Sequence, residues 1–551
     1  MEILQIKNLS FKYPNCNENA LNNIDLDIEK GSFNVIFGKS GCGKTTLLKL
    51  LKKEISPFGS LSGEILYEQK NINGTDKRNS VSEIGFVGQI PDEQIVTDKV
   101  WKEMAFGLEN LGLESDAIRR RIGDTASYFG IQSWYQKSTD ELSGGQKQIL
   151  NLASVMAMQP KMLLLDEPTA QLDPVAAENF INVLVKLNRE LGVTVIIAEH
   201  RLEELFSIAD KAAAMDNGRV ILCGSPREVC SKISDNDLCE SFPSAVRIWK
   251  EIGLKTSCPL TVREGKAFLE DNFSSKAGAE IPVSEYIPKE TVFEAEGVWF
   301  RYEKNLPDVL KDFSISVCKG EIYSILGGNG SGKTTALNVL SGLDKPYKGK
   351  SRIFGKKMSS YKKGSLYHGT LALLPQNPKT VFLKNTVRED FHDILKALNV
   401  PENQAAEKIA QYANEFAIEK LLDKHPYDLS GGEQQKSAIV KLLLTEPKIL
   451  LLDEPTKGMD AHSKNKFAKL LKKLSEMDKT IILVTHDIEF AAFVSDRCGL
   501  LFDGQIISEG IPDRFFSDNS FYTTAASRMS RGIFKNTVLC REVCELCKRK
   551  D

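Results

Sequence analysis

The chain has 551 residues, more than the roughly 250–300 over which a single hydrophobic core grows, so it holds more than one domain. Hydrophobic residues make up 42% and charged residues 26%, which excludes a disordered chain. The 72 basic and 74 acidic residues leave a formal charge of −2, so no net field draws the protein to nucleic acid or to an anionic membrane.

The opening MEILQIKNLSFKY has no basic region followed by an apolar core, and no secretory signal is expected. No window approaches the ~18 consecutive apolar residues of a membrane-spanning helix. If the protein acts at a membrane, another chain must cross it. Without an export signal the 11 cysteines are expected as reduced thiols.

A short apolar run, NVIF, then leads into GKSGCGKT at residues 38–45 and on into a helical pattern. This is the phosphate-loop pattern G-x-x-x-x-G-K-[ST] in the strand-then-helix context it needs. Its glycines let backbone N–H groups curl round phosphate oxygens at a helix start that already favours anions. Lys44 is placed to reach the β- and γ-phosphates and Thr45 to hold Mg²⁺.

Residues 85–100, GFVGQIPDEQIVTDKV, end an apolar stretch on Gln89 and turn at a proline. A glutamine closing a buried strand marks a polar site. Asp92 and Glu93 follow on the surface, either as solvated loop charges or as a place where a partner docks.

LSGGQ at 142–146 precedes a helical run. By itself it is an ordinary helix N-cap; as chemistry it is a second anion site, made of Ser143 and free N–H groups. MLLLDE is apolar until its last two residues, as a central strand buried on both faces should be. Its end presents Asp166 towards a metal, with Glu167 next in line to polarise a water; a carboxylate pair there can also cap the following helix. VTVIIAEH ends on His200. A lone histidine is usually structural, yet the carboxyl end of a strand is where ligands sit in open α/β sheets.

After residue 228 the pattern changes to short helices broken by Pro, Ser and Gly, with basic and acidic residues in near balance. From 289 the chain repeats itself. FRYEK matches FKYPN, GGNGSGKTT matches GKSGCGKTT, DLSGGE matches ELSGGQ, and ILLLDEPTKGMD matches MLLLDEPTAQLD. The offset is 289 from Lys44 to Lys333, 287 from Asp166 to Asp453 and 286 from His200 to His486, so the halves should share one fold. Two phosphate loops in register leave no room for a chance glycine-rich turn. Near the end, Cys540, Cys544 and Cys547 could ligate a metal, but no fourth ligand is evident, and free thiols on an exposed terminal helix are expected.

Together these residues resemble the ABC-type ATPase family across both halves, nearly the whole chain outside the connector. The resemblance implies an α/β fold of two ABC-type P-loop NTPase domains, at 1–228 and 289–520, with a helical connector at 229–288 and a tail at 521–551. Each domain would have a mostly parallel sheet core, an antiparallel β subdomain and a helical signature subdomain. It also implies ATP and Mg²⁺ as ligands and a head-to-tail pairing of the two domains within the chain. Tyr13 and Tyr302 would stack on adenine. Gly38, Ser40, Gly41, Gly43, Lys44, Thr45 and Thr46 would wrap one set of phosphates. Gly327, Asn329, Gly330, Gly332, Lys333, Thr334 and Thr335 would wrap the other. Thr45, Gln89 and Asp166, and likewise Thr334, Gln376 and Asp453, would attend the metal, the glutamines also touching the attacking water. Glu167 and Glu454 would be the catalytic bases, and His200 and His486 would contact the γ-phosphate. Ser143 and Gly145 with Asp173, and Ser430 and Gly432 with Asp460, would complete the sites, joining Lys44 to Ser430 and Lys333 to Ser143. The one departure is Glu433, where the signature usually has glutamine.

Within that family, GQIPDEQIVTDKVWKEMAFGLENLG and IIAEHRLEEL look like the ATPase subunit of energy-coupling factor (ECF) transporters, in the variant with both ATPases fused. Such a subunit would sit peripherally on the cytoplasmic face of the membrane. It would energise import of a vitamin or a transition-metal ion through a membrane T component and a substrate-binding S component, with no nucleic acid involved. The alternatives are a fused ATPase of a sugar importer and a soluble ABC-F-type translation factor. The latter usually carries a long, highly charged connector, unlike the near-neutral one here. The solute is not encoded in this chain.

Overall fold

The computed structural model describes residues 1–549 except Asn15, Thr75, Ser284 and Lys363, and all but the side chains of Lys77, Asn79 and Asn236. It resolves into two compact units, one of Met1–Gly265 with Asp460–His462, the other of Lys266–Met459 with Ser463–Asp551.

In the first unit, an antiparallel sheet runs in the order Leu21–Glu29, Glu2–Lys12, Ser60–Tyr67, Lys70–Asn71. The strand Leu21–Glu29 alternates buried and solvated residues, as a sheet with one wet face requires. A second, six-stranded sheet runs Arg219–Gly224, Lys211–Asp216, Phe33–Gly38, Thr194–Ala198, Met162–Asp166, Ile84–Val87, parallel except for its first strand. Its strands Met162–Asp166 and Thr194–Ala198 are buried at every position, so both of their faces are covered. The helix Lys44–Leu50 lies between the sheets: Leu47, Leu48 and Leu50 share one core with Ile6 and Ile24 of the antiparallel sheet and Ile36, Leu164 and Ile196 of the parallel one. Three helices, Val100–Asn110, Ser115–Tyr128 and Gly144–Ala157, close a separate apolar cluster around Met104, Leu108, Ile122 and Leu150.

The second unit repeats this plan, as the fixed offsets require. Its antiparallel sheet is Leu310–Cys318, Thr291–Phe300, Lys348–Ile353, Lys356–Lys357. Its mostly parallel sheet is Leu371–Leu374, Ile449–Asp453, Thr480–Thr485, Ile322–Leu326, Arg497–Phe502, Gln505–Gly510. The register pairs Asp166 with Ala198 and Asp453 with Val484. That pairing sets the acidic end of one strand beside the histidine end of its neighbour in both halves.

The connector divides between the units. Phe242 packs with Phe37 and Phe206 in the first core. Further on, Gly278 N–H donates to the Ile533 carbonyl and Lys535 N–H to that of Ala279, so the chain's end folds against the connector within the second unit. The terminal helix Cys540–Lys548 is therefore not exposed as expected: Cys544 and Cys547 are buried, and Lys276 Nζ donates to the Cys547 carbonyl. No disulfide joins any of the eleven cysteines. Among the described residues, no group of three or more His, Cys, Asp or Glu is arranged to hold a metal.

Candidate nucleotide site

Each phosphate loop ends on a glycine whose backbone conformation L side chains rarely adopt. Gly43 (φ 105°) and Gly332 (φ 96°) are left-handed, and a Cβ on Gly43 would meet the Ala20 carbonyl oxygen at 2.8 Å. The helices Lys44–Leu50 and Lys333–Ser341 start on the next residue. Lys44 is buried with its Nζ 3.0 Å from the Gly38 carbonyl oxygen and 3.1 Å from that of Lys39. Lys333 repeats this with Gly327 and Gly328, at 2.9 and 3.0 Å. The ammonium is thus held in the middle of the loop by backbone carbonyls, where its charge faces the space the loop encloses.

Thr45 Oγ1 donates to Asp166 Oδ1 at 3.0 Å, and Thr334 Oγ1 to Asp453 Oδ1 at 3.3 Å. Burial, with the neighbouring Glu167 charge, pushes the Asp166 carboxyl up to about 6. Burial does the same to Asp453, again to about 6, with Glu454 adding to it. A hydroxyl beside a carboxylate that resists ionisation suits a hard cation, whose charge would restore the ionised form.

Glu167 and Glu454 adopt left-handed backbone, φ 45° and 47°, a conformation that costs a non-glycine residue on the order of 1–3 kcal/mol. Their N–H groups donate to the Ala198 and Val484 carbonyls, and this hold keeps them there. Glu167 Oε2 accepts from Gln89 Nε2 at 3.1 Å, while Oε1 lies 2.8 Å from His200 Nε2 and 3.9 Å from Lys44 Nζ. Burial opposes ionisation of Glu167, but His200 and Lys44 outweigh it and hold the carboxyl below its ordinary value. Glu454 is likewise held low, against its burial, by His486 and Lys333. The two halves differ in the ring nitrogen used. His200 approaches through Nε2, whereas His486 approaches through Nδ1, at 2.7 Å from Glu454 Oε2.

Gln376 does not repeat the bond of Gln89 to its glutamate; it lines a cavity of about 250 Å³ with Asn329, Lys333, Thr334, Thr335 and Glu454. Beside this lies a second cavity of about 300 Å³, bordered by Tyr302, Leu306, Gly330 and Ser331. The hydroxyls of Tyr13 and Tyr302 pair with Thr46 and Thr335 at 3.0 and 2.9 Å, and each ring packs edge-on to Phe11 or Phe300. Both tyrosines are thereby fixed over the first turn of the phosphate-loop helix.

Ser143 and Ser430 cap the helices Gly144–Ala157 and Gly431–Leu443, with Gly145 and Gly432 in the first turn. The caps differ in chemistry. Both hydroxyls accept from the N–H three residues on, of Gln146 at 3.3 Å and of Glu433 at 3.4 Å, but Ser430 Oγ also donates to the Glu433 carboxylate at 2.9 Å. Asp173 caps the helix Pro174–Leu191 by accepting from Ala176 N–H at 2.7 Å, and Asp460 is buried just before the helix Ala461–Glu476. Asp92 is not a bare surface acid, because Lys147 of the signature helix pairs with it. Glu93 is exposed.

Several working residues were not apparent from the sequence. Glu103 accepts from Val96 and Thr97 N–H, and Asp390 from Leu383 and Lys384 N–H, so two buried acids pin the same loop in both halves. Their shared offset within the repeat was the signal. Asp390 also pairs with the buried Lys441, whose counterpart is Ser154. Glu199, a buried acid next to His200, carried no motif to mark it.

A glycine-rich loop gripping a lysine, a Thr–Asp pair and an acid at a strand end, found twice, define a P-loop nucleotide-hydrolysing protein. The family model described as "ABC transporter" matches residues 21–170 and 310–457, and the chain belongs to that family. A Bacillus thuringiensis subsp. konkukian protein, named among the ABC transporter ATP-binding proteins, is 41% identical over 98% of each chain. A similarly named Methanosarcina acetivorans protein is 33% identical over 93% of this chain and 86% of its own. Among solved structures, cbiO1 from Clostridium perfringens, described as part of the ABC transporter complex cbiONQ, is 36% identical over 42% of this chain and 91% of its own, with a TM-score of 0.39. The protein is an ATP-binding ATPase with two ABC domains in one chain.

Proposed function

We propose that this chain is the fused ATPase subunit of an ECF-type importer for a vitamin or a transition-metal ion, seated peripherally on the cytoplasmic face of the membrane and coupled to a T component and an S component. No helix among the described residues is long and apolar enough to cross a membrane, so the solute path would belong to those partners. The observation that carries the proposal is the build of the segment after Gln89. The turn Pro91–Gln94 is fixed from beneath: Gln94 accepts from Gly88 N–H at 3.0 Å and donates to the Phe86 carbonyl, and Asn151 donates to that of Pro91. It presents Glu93 and an exposed Val96 outward, while Gln89 touches Glu167 behind it. A rigid, acidic and apolar surface joined to the hydrolytic centre suits a helix that carries an arginine, whose carboxylate pairing is charge-assisted and geometrically selective. Such an arginine would compete with Lys147 for Asp92 and meet Glu93 directly.

At each site Lys44 or Lys333 would hold the β- and γ-phosphates, with Glu167 or Glu454 polarising the attacking water and His200 or His486 against the γ-phosphate. Tyr13 and Tyr302 would border the base. Thr45 with Asp166, and Thr334 with Asp453, fit Mg²⁺, joined by Gln89 and Gln376. Mg²⁺ would supply neutralisation of the phosphate charge. Co-purification with membrane proteins tests the assignment. A membrane partner in stoichiometric amount is expected, and recovery with ribosomes instead would point to the translation-factor class.

A further inference from the structure

The two halves hold their histidines by different means. In the first, Glu199 is 2% exposed and accepts from four donors: His200 N–H at 2.7 Å, Arg201 N–H at 3.4 Å, Thr169 N–H at 3.0 Å and the Thr169 hydroxyl. It ties the residue after the strand Thr194–Ala198 to the segment just past Glu167. In the second half the matching residue is Thr485, whose hydroxyl accepts from Asp487 N–H at 3.0 Å. There the His486 N–H turns to the proposed base itself, at 3.4 Å from Glu454 Oε2, and the same oxygen meets His486 Nδ1.

We infer that Glu199 is a positioning residue of the first site, fixing which ring nitrogen His200 presents to Glu167 and so making the two ATPase sites inequivalent. By taking the His200 N–H, Glu199 draws the backbone away from Glu167. The ring then reaches the carboxylate with its far nitrogen, Nε2, and leaves Nδ1 buried without a hydrogen-bond partner. Because one histidine nitrogen bears the proton in the neutral ring, this geometry selects the Nε2–H form. It also leaves Glu167 Oε2 for Gln89, a bond absent at Glu454, where the backbone and the ring both crowd Oε2. The first base is therefore coupled to the segment that ends on Gln89, and on the second base that oxygen is taken by His486 through both its backbone N–H and its ring. A buried, multiply bonded carboxylate can hold such a difference because releasing any one donor strands it away from water.

The inference rests on Glu167 and Glu454 as the bases of the two sites. Its test uses the full chain labelled with ¹⁵N-histidine, the His200 signals being assigned by their loss in His200→Gln. Wild-type His200 should be protonated at Nε2 and His486 at Nδ1. Glu199→Thr, which writes the second half's residue into the first, should move the His200 proton to Nδ1; Thr485→Glu should move that of His486 to Nε2. In a Glu454→Gln background, Glu199→Thr should lower kcat about tenfold while KM for ATP stays within about twofold, with Glu199→Gln intermediate. Wild-type His200 protonated at Nδ1 overturns the proposal without any variant. So does an unchanged ring signal with unchanged kcat in Glu199→Thr. Full turnover of Glu167→Gln in that background would instead remove the base assignment, and the ring signals would still decide the role of Glu199.

Discussion

Gln89 Nε2 donates to Glu167 Oε2 at 3.1 Å, so a residue just past the end of one strand is bonded to the acid that follows another. The strands Ile84–Val87 and Met162–Asp166 are neighbours in parallel register, which carries both residues to the same edge of the sheet. Any movement of the Gln89 segment is therefore felt at Glu167. Gln89→Ala should lower coupled turnover more than Gln376→Ala, since Gln376 makes no such bond to Glu454. Comparing steady-state ATPase rates of the two variants checks this, and equal losses would refute it.

Removing the charge at the centre of either phosphate loop should be severe. Lys44→Ala or Lys333→Ala deletes an ammonium that, in the proposed site, would meet the transferred phosphoryl group, for which a loss of about 10²–10³ in kcat is expected. Undiminished hydrolysis in Lys44→Ala would sink the first site's assignment.

Glutamine at the proposed base position keeps shape but cannot take a proton. Glu167→Gln and Glu454→Gln should each slow hydrolysis, by about 10²-fold or more at the altered site, and leave ATP binding intact. Single-turnover rates with binding measured in parallel distinguish the two effects. Full activity in Glu454→Gln would show the second site to be passive.

Glu433 holds the Ser430 hydroxyl through a charge-assisted bond that Gln146 does not make with Ser143. Such bonds are about twice as strong as neutral ones. Glu433→Gln should free the hydroxyl for a nucleotide and lower KM for ATP by about threefold. A raised KM would show instead that the carboxylate helps the site.

Asp166 titrates near 6 rather than 3.8 because burial penalises its charge. A raised folded-state value means that its contribution to stability is present below pH 3.8 and is lost as pH rises through 6. In the metal-free chain at pH 7.5, Asp166→Asn should therefore be more stable than wild type, by up to about 3 kcal/mol, since each tenfold change in an acid's ionisation constant is worth roughly 1.4 kcal/mol. At pH 3.8 the gain should vanish. Thermal melts in EDTA at the two pH values decide it; a variant no more stable at pH 7.5 would show the carboxylate to be better solvated than its burial implies.

The phosphate loops, the acid-ending strands and the two-fold repeat were legible in the sequence because each rests on local chemistry. A glycine that must be left-handed, an apolar run buried on both faces and a serine three residues before a glutamine or glutamate report on their own neighbourhood. Burial of the terminal helix was not legible: CREVCELC is amphipathic, and only the tertiary structure sets it against the helix Ala525–Ser530 and places Lys276 on the Cys547 carbonyl. Nor could sequence show that Lys147 neutralises Asp92 from 55 residues away, or that His200 and His486 use opposite ring nitrogens. These depend on which donor wins a shared acceptor once strands distant in the chain lie side by side. The sequence determined which groups meet at the strand ends, and tertiary structure decided which atoms they bond, because a hydrogen bond is directional and an acceptor's lone pairs are few.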